Sequence, residues 1–333
     1  MEEKLLIVGD CHAVSSELDD CKALIDLCVE TVQGYDIPHV VFLGDQHHNH
    51  SILDSRCLDF WTDVFTNKFR RVTALVGNHD GVSPTSIVPH SMIAHKGIKN
   101  VDIVDEPTVV TGIGGSKIFC AMPYYYDPVE FVLAATKLKE ANPDIDLLFC
   151  HQTFAGANNG QGFYDKDGVD LDDVPFAKIV SGHIHNSMKI GKVWYPGSPR
   201  YKTLTDALVK DKSIYILDGK KVKAISTSTH CIKILRFNDK PDQPLELDTE
   251  PNAKTDIRID IYGTPERIQE RILLFKAKYN ARCRGFPITE RKTRVSESDG
   301  INVAFGKFAA NFAPPNGTAT AELLRIINER AVL

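Results

Sequence analysis

Five runs along the chain share one design. Each is a stretch rich in Val, Ile, Leu and Phe that ends in Asp, Asn or His: "KLLIVGDCH" (4–12), "HVVFLGDQH" (39–47), "VTALVGNHD" (72–80), "DLLFCHQ" (146–152) and "AKIVSGHIH" (177–185). Apolar runs of this kind read as strands covered on both faces, so other layers must enclose them. Between the first two runs, Leu18, Leu24, Ile25, Leu27, Cys28 and Val32 give residues 16–33 an amphipathic helical pattern. Residues 55–67 read as a second helix. This β-α-β-α-β start predicts an α/β sheet protein.

Shorter strand and hairpin signals follow at 108–123, 193–199 and 213–226. "GIGGSK" in the first of these lacks the spacing of either phosphate-binding glycine motif, so it reads as a turn between two strands. Residues 239–254 are rich in Pro and Asp and read as a linker. The expected division is 1–238, linker 239–254, and a second domain 255–333. In that domain "TDIRIDIYG" (255–263) alternates like a strand, and Thr264 can cap a helix that has Pro265 at its first position. Ile268, Ile272, Phe275 and Tyr279 share one face of that helix. "FPITERKTRV" (286–295) reads as a strand with a basic tip, and residues 318–333 as a terminal helix.

A length of 333 residues suits about two domains. No apolar run approaches the roughly 20 residues of a membrane helix, and the acidic start "MEEKLLIVGDCH" lacks signal-peptide character. The eight cysteines are scattered without a C-x-x-C pair, as expected of reduced thiols in a cytoplasmic protein. Cys11 and Cys150 read as small buried residues. Residues 255–333 carry 13 Lys+Arg against 9 Asp+Glu, whereas residues 1–254 carry 26 against 35. An acidic body with a basic tail suits a protein that holds metal in one part and phosphate in the other, although ordinary charge scatter gives the same figures.

The ends of the five runs supply Asp10, His12, Asp45, Asn78, His79, His151, His183 and His185. Ligands of open α/β sheets collect outside the carboxyl ends of the strands. On an extended chain, residues i and i+2 point the same way, so Asp10 with His12, and His183 with His185, can each face one site. A lone strand-end histidine is usually a satisfied polar residue. Five such ends converging would be costly without a cation. The mixed N/O set suits Mn, Fe or Zn better than a structural thiolate site.

The ordered set GDCH, GDQHH, GNHD, a later single His and GHIH resembles the calcineurin-like metallophosphoesterases over most of residues 4–200. The resemblance implies a four-layer αββα sandwich and a two-metal hydrolase. It implies that Asp10, His12, Asp45 and His185 hold one metal, that Asp45, Asn78, His151 and His183 hold the other, and that His79 is catalytic. Asp80 would orient a nearby imidazole or simply serve the turn. The Arg-Gly that serine/threonine protein phosphatases carry after the second block is missing from "GDQHHNH".

Within the superfamily, "LFCHQ", "DGVDLDDVPFAKIVSGHIH" and "VWYPGSPRY" are similar to blocks of the SbcD-type DNA double-strand-break repair nucleases, and the compact length is similar to their phage versions. This implies a small C-terminal α+β capping domain that contacts DNA. It also implies Mn2+ as the cofactor (with Mg2+, Fe2+ or Zn2+ as alternatives), an SbcC-type coiled-coil ATPase partner, a homodimer, and 3′–5′ exonuclease with single-strand endonuclease activity in recombination or repair. His48 would position substrate phosphates beside His79. His47 would pack or face solvent, and His50 would lie on a loop surface. Arg282, Arg284, Arg291, Lys292 and Arg294 form the candidate DNA contact, weighed equally against a solvated charged edge. Tyr124, Tyr125 and Tyr126 are groove candidates, with at least two expected in the core or on a loop surface. The competing readings are a small-molecule or nucleotide phosphodiesterase or phosphatase, and a non-catalytic scaffold.

Overall fold

Leu5, Leu6, Ile7 and Val8 are all buried, yet they serve two different cores. They form β1 (Leu5–Val8), which runs parallel to β2 (His39–Phe42); β2 in turn runs parallel to β3 (Val72–Leu75). The crossovers are α1 (Leu18–Tyr35) and α2 (Ser55–Asp63). A hairpin of β4 (Gly81–Ser83) and β5 (Ser86–His90) precedes β6 (Val101–Val104), which pairs with β3. The chain then builds a second sheet from β7 (Thr108–Thr111), β8 (Lys117–Ala121), β9 (Leu147–His151), β10 (Lys178–Gly182), β11 (Met188–Ile190) and β12 (Val193–Tyr195), with α3 (Pro128–Ala141) between β8 and β9. It returns to the first sheet as β13 (Ser213–Asp218), antiparallel to β1, and β14 (Lys221–Ser226). This computed structural model describes residues 3–158, 164–202, 206, 212–227, 231–238, 255–279 and 282–287.

The sheet orders are β14-β13-β1-β2-β3-β6 and β11-β12-β10-β9-β8-β7. Because strand side chains alternate, every second residue of each run points between the sheets. Leu5, Ile7, Val41 and Leu75 there meet Phe119, Ala121, Phe149 and Val180. Leu6, Val8, Val40 and Phe42 face outward onto Cys21, Leu24, Ile25 and Cys28 of α1 and Cys57 and Trp61 of α2. On the other side, Leu148, Cys150 and Ile179 face Phe131, Ala135 and Leu138 of α3. The result is the expected four-layer αββα sandwich, and it explains why the runs lack polar alternation: both faces are covered.

The expected helix at 16–33 is α1, preceded by a 3-10 turn at Ser15–Glu17. The one at 55–67 is α2, continued as a π-helical turn over Val64–Lys68 that buries Val64 and Phe65. Asp54 caps α2 by accepting the Arg56 N–H at 2.9 Å. Trp61 of α2 is fully buried, and its indole N–H donates to the Gln46 carbonyl at 3.2 Å. It therefore supports both the outer core and the loop after β2. Trp61→Ala is expected to lower stability by about 3–5 kcal/mol, read as a shift of the urea midpoint at unchanged slope.

"GIGGSK" is a β-turn region between β7 and β8, with the Gly112 N–H donating to the Ser116 carbonyl at 2.9 Å. One strand pairing crosses the predicted linker. β15 (Cys231–Asn238) lies before the predicted linker but pairs in parallel with β16 (Thr255–Gly263), in a separate sheet ordered β15-β16-β17. Phe237 joins Ile257, Ile259, Ile261, Ile268 and Phe275 in that unit's own core, so residues 231–238 belong with it. α4 (Pro265–Tyr279) buries Ile268, Phe275 and Tyr279, as its spacing predicts. β17 (Arg282–Pro287) begins four residues before the predicted strand at 286–295, and Gly285 accounts for its close packing, since a Cβ there would collide with Ile268. The rest of that predicted strand and the predicted helix at 318–333 lie outside the described residues. Cys11, Cys21, Cys28, Cys57, Cys120 and Cys150 are free, buried thiols, and among the described residues no helix is long and apolar enough to cross a membrane.

Candidate metal centre

β1, β2, β3, β9 and β10 deliver their terminal polar residues to one place. His151 is the last residue of β9, and the others follow their strands by one to a few residues. There the chain is no longer extended: His12, Asp45 and His183 have left-handed backbones with φ of 48°, 53° and 79°. Such conformations cost energy in non-glycine residues and are held by their surroundings. They also alter the expected i, i+2 pairing. Asp10 and His12 do share a group, but His183 and His185 separate, because the chain turns at His183.

Two carboxylate-containing groups result, Asp10/His12/His185 and Asp45/His151/His183, beside a third of histidines alone, His12/His48/His79, each with its donor atoms within 4.8 Å of one another. Asp45 Oδ2 lies 3.5 Å from His12 Nε2 in one and 3.5 Å from His151 Nε2 in the other. Asn78 Oδ1 lies 3.0 Å from His151 Nε2 and 2.9 Å from His183 Nδ1. His12 Nε2 and His185 Nε2 face each other at 2.9 Å. Asp10 Oδ1 is buried without a hydrogen-bond partner. An orphaned carboxylate oxygen and converging imidazole nitrogens are unfavourable by themselves, and a cation relieves both. The donors fit two divalent ions, each with nitrogen and oxygen ligands. Cys11 and Cys150 are buried thiols with their pKa values pushed up by that burial, as small core residues should be.

The protonation of the metal-free centre follows from its contacts. Burial pushes His12 well below its ordinary pKa and His183 down to about 3, so both rings offer lone pairs at neutral pH. His151 differs. Its Nδ1 faces the Leu43 carbonyl at 2.8 Å and its Nε2 faces Asn78 Oδ1 at 3.0 Å, so both nitrogens act as donors. Burial opposes that charge, but Asp45 and Asp10 outweigh it and raise His151 to about 9. Metal entry must displace its Nε2 proton. Below about pH 9, therefore, uptake at the second group is expected to release a proton, and affinity should rise with pH. Calorimetric titration in buffers of different ionisation enthalpy measures this directly; buffer-independent heats at pH 7 would contradict it.

Several residues hold the loops in place. A Cβ at Gly77 would collide with the carboxylate and backbone of Asp45. Asp80, expected to orient an imidazole or serve a turn, accepts the backbone N–H groups of His47 at 2.9 Å and Gly77 at 3.0 Å, clamping the second and third ligand loops together. Arg200, from "YPGSPRY", went unassigned in the sequence; it is buried, and its guanidinium donates to the carbonyls of Cys11 at 2.7 Å and His12 at 3.1 Å. Its only sequence signal was its position after the GSP block. Tyr124 stacks on His183 with ring centres 5.6 Å apart. Tyr125 packs against Phe131, and Tyr126 is exposed, so one tyrosine of the three reaches the centre.

His79 stands beside the shared carboxylate. Its backbone N–H donates to Asp45 Oδ1 at 2.8 Å, and its Nδ1 donates to the His48 carbonyl at 2.6 Å, which leaves Nε2 for other work. The His48 ring stacks on it, with centres 5.3 Å apart and planes 8° apart. Burial and the nearby Lys202 charge lower His48 to about 4, so it is neutral at pH 7. His47 is buried, with Ser91 Oγ 2.8 Å from its Nδ1. His50, expected on a loop surface, is half-buried and also stacks on His79, 4.6 Å between ring centres. The turn carries it back to the loop after β3, where His48 and His50 both stack on His79.

The basic candidates do not join this cluster through any described contact. Arg284 is exposed; its Nε lies 3.9 Å from Asp260 Oδ1 and its guanidinium 4.3 Å over the Phe286 ring, both in its own sheet. Arg282 sits at the start of β17, and Arg291, Lys292 and Arg294 lie outside the described residues.

A search of the curated proteins finds no match. Among solved structures, the chain is similar to GAP50, the anchor in the inner membrane complex of Plasmodium, at 11% identity and a TM-score of 0.36, covering 67% of this chain and 84% of that one. The family model of the calcineurin-like phosphoesterases matches residues 3–187. That span runs from before the first ligand loop to just past the last, over more than half of the sequence, and the chain therefore belongs to the calcineurin-like phosphoesterases, a family of metal-dependent phosphoester hydrolases.

Proposed function

We propose that this protein is a two-metal DNA nuclease of the SbcD type, acting as exonuclease and single-strand endonuclease in recombination or double-strand-break repair. The observation that carries the reading is Asp45 Oδ2, 3.5 Å from a histidine of each donor group, with the stacked His48 and His79 beside it. Asp10, His12, Asp45 and His185 would hold one ion, and Asp45, Asn78, His151 and His183 the other. Divalent ions bound there supply Lewis-acid charge and acidify water near neutral pH. The side chains do the rest. Asp45 sets the spacing of the two groups and, through Oδ1, the position of His79. The His48 carbonyl fixes His79 Nδ1 as a donor, which leaves Nε2 as the proposed proton donor to the departing oxygen of a phosphodiester. Neutral His48 offers a hydrogen bond to a non-bridging phosphate oxygen.

The DNA substrate rests on the sequence blocks similar to the repair nucleases, with His48 three residues after Asp45 as the feature nearest the chemistry. Mn2+ is the proposed ion. An SbcC-type ATPase and a second copy of the chain are the proposed partners, and Arg282, Arg284, Arg291, Lys292 and Arg294 the proposed backbone contacts. The test is cleavage of 3′-labelled double-stranded DNA and circular single-stranded DNA with Mn2+ and with Mg2+, beside hydrolysis of bis-p-nitrophenyl phosphate. Degradation of either DNA with Mn2+, weakening as salt rises, is the expected result. Fast turnover of the small diester with DNA left intact, with or without the ATPase, would establish a small-molecule phosphodiesterase instead.

A further inference from the structure

One buried carboxylate near the centre belongs to none of the five strand-end motifs. Asp206 is fully buried, and its Oδ1 lies 3.5 Å from His185 Nδ1. The other nitrogen of that ring, Nε2, points at the first donor group, 2.9 Å from His12 Nε2 and 3.9 Å from Asp10 Oδ2. Lys212 Nζ lies 2.6 Å from Asp206 Oδ1 and also donates to the His185 carbonyl at 3.0 Å. Asp206 Oδ2 accepts the Lys202 backbone N–H at 3.0 Å. Lys202 Nζ and Arg200 both bind Glu17 Oε2, at 2.9 and 2.7 Å, and Arg200 holds the His12 carbonyl. Arg200, Lys202, Asp206 and Lys212 thus grip both histidines of the first group. In the second group, His151 is steadied instead by a backbone carbonyl, that of Leu43.

We propose that Asp206, seated by Lys212, is the positioning residue for the first metal ion: it keeps the proton of His185 on Nδ1 and the lone pair on Nε2, aimed at that ion. This rests on the two-metal reading above. A carboxylate behind a ligating imidazole fixes its tautomer and raises its basicity, and loss of such a partner typically costs about 10–100-fold in metal affinity. The effect is confined to one of the two ions, because the histidine that Asp206 faces, His185, belongs to the first group.

The full chain, stripped of metal, is titrated with Mn2+ and free ion is followed by its paramagnetic resonance signal. Wild-type protein is expected to bind two ions. Asp206→Asn, and the neutral pair Asp206→Asn with Lys212→Gln, which leaves no buried charge unpartnered, should each weaken one affinity by about 10–100-fold and leave the other unchanged. In a His185→Ala background, Asp206→Asn should add nothing further. Two unchanged affinities, or equal weakening of both in a variant with wild-type melting temperature, would overturn the role of Asp206 and leave the two-metal reading standing. A wild-type chain that binds fewer than two ions would overturn both.

Discussion

Asp45→Asn is expected to abolish binding of both metal ions together and, with it, all hydrolysis. Its Oδ2 is 3.5 Å from His12 Nε2 and 3.5 Å from His151 Nε2, so one oxygen serves both groups. Asparagine suits the test because it tolerates the left-handed backbone at this position, where φ is 53°. It also keeps the volume and an oxygen for the His79 N–H, and removes only the charge. The loss should exceed the roughly 10–100-fold that an outer partner costs, because a ligand itself is neutralised between two cations. Metal content after gel filtration, measured by mass spectrometry, reads the outcome. His185→Ala provides the contrast: it disturbs the first group alone and should retain one ion. If Asp45→Asn carried two ions at wild-type affinity, the carboxylate would not be shared.

His79→Ala is the second large effect, and of a different kind. Its side chain belongs to neither carboxylate-containing group, and the backbone N–H that binds Asp45 Oδ1 survives the substitution. Both ions should therefore remain while turnover falls by about 10²–10⁴-fold, the usual worth of a positioned proton donor. The leaving group separates proton donation from mere placement. A diester that expels p-nitrophenolate needs little protonation, so its hydrolysis should fall far less than that of an alkyl or nucleoside diester. Equal losses on both would make His79 a positioning residue only. His48→Ala should raise KM more than it lowers kcat, because a neutral ring that hydrogen-bonds phosphate binds ground state and transition state alike.

The layered fold was legible because burial on both faces leaves a mark that no other arrangement gives. Runs such as "LLIV" and "HVVF" could not lie at an exposed sheet face, and the structure divides their residues between two cores. The donor residues were legible for a related reason: Asp10, Asp45, Asn78 and His183 each follow a glycine at a strand end, and that glycine is where the backbone must turn or pass close to another loop. The clamps were not. Asp80 reads as part of a turn, and Arg200 and Asp206 are ordinary charged residues in a polar segment. Their partners are far away in sequence: Cys11 and His12 for Arg200, His185 for Asp206. Strand pairing between 231–238 and 255–262 crosses the Pro-rich stretch, and composition carries no trace of which strand pairs with which.

The sequence by itself determined which residues can carry the chemistry and that they end five buried strands, since apolar periodicity and ligand type are local properties of the chain. The resemblance implied how they divide, and only the tertiary structure supplied the backbone that brings the division about. It sent His183 and His185 to different groups through a left-handed turn, put the Asp45 oxygen between two histidines, and placed His50 and His48 against His79. Those outcomes depend on close packing of loops from distant parts of the chain. Distances of 3–4 Å between residues more than a hundred positions apart are fixed by how two sheets stack, and no short stretch of sequence encodes that.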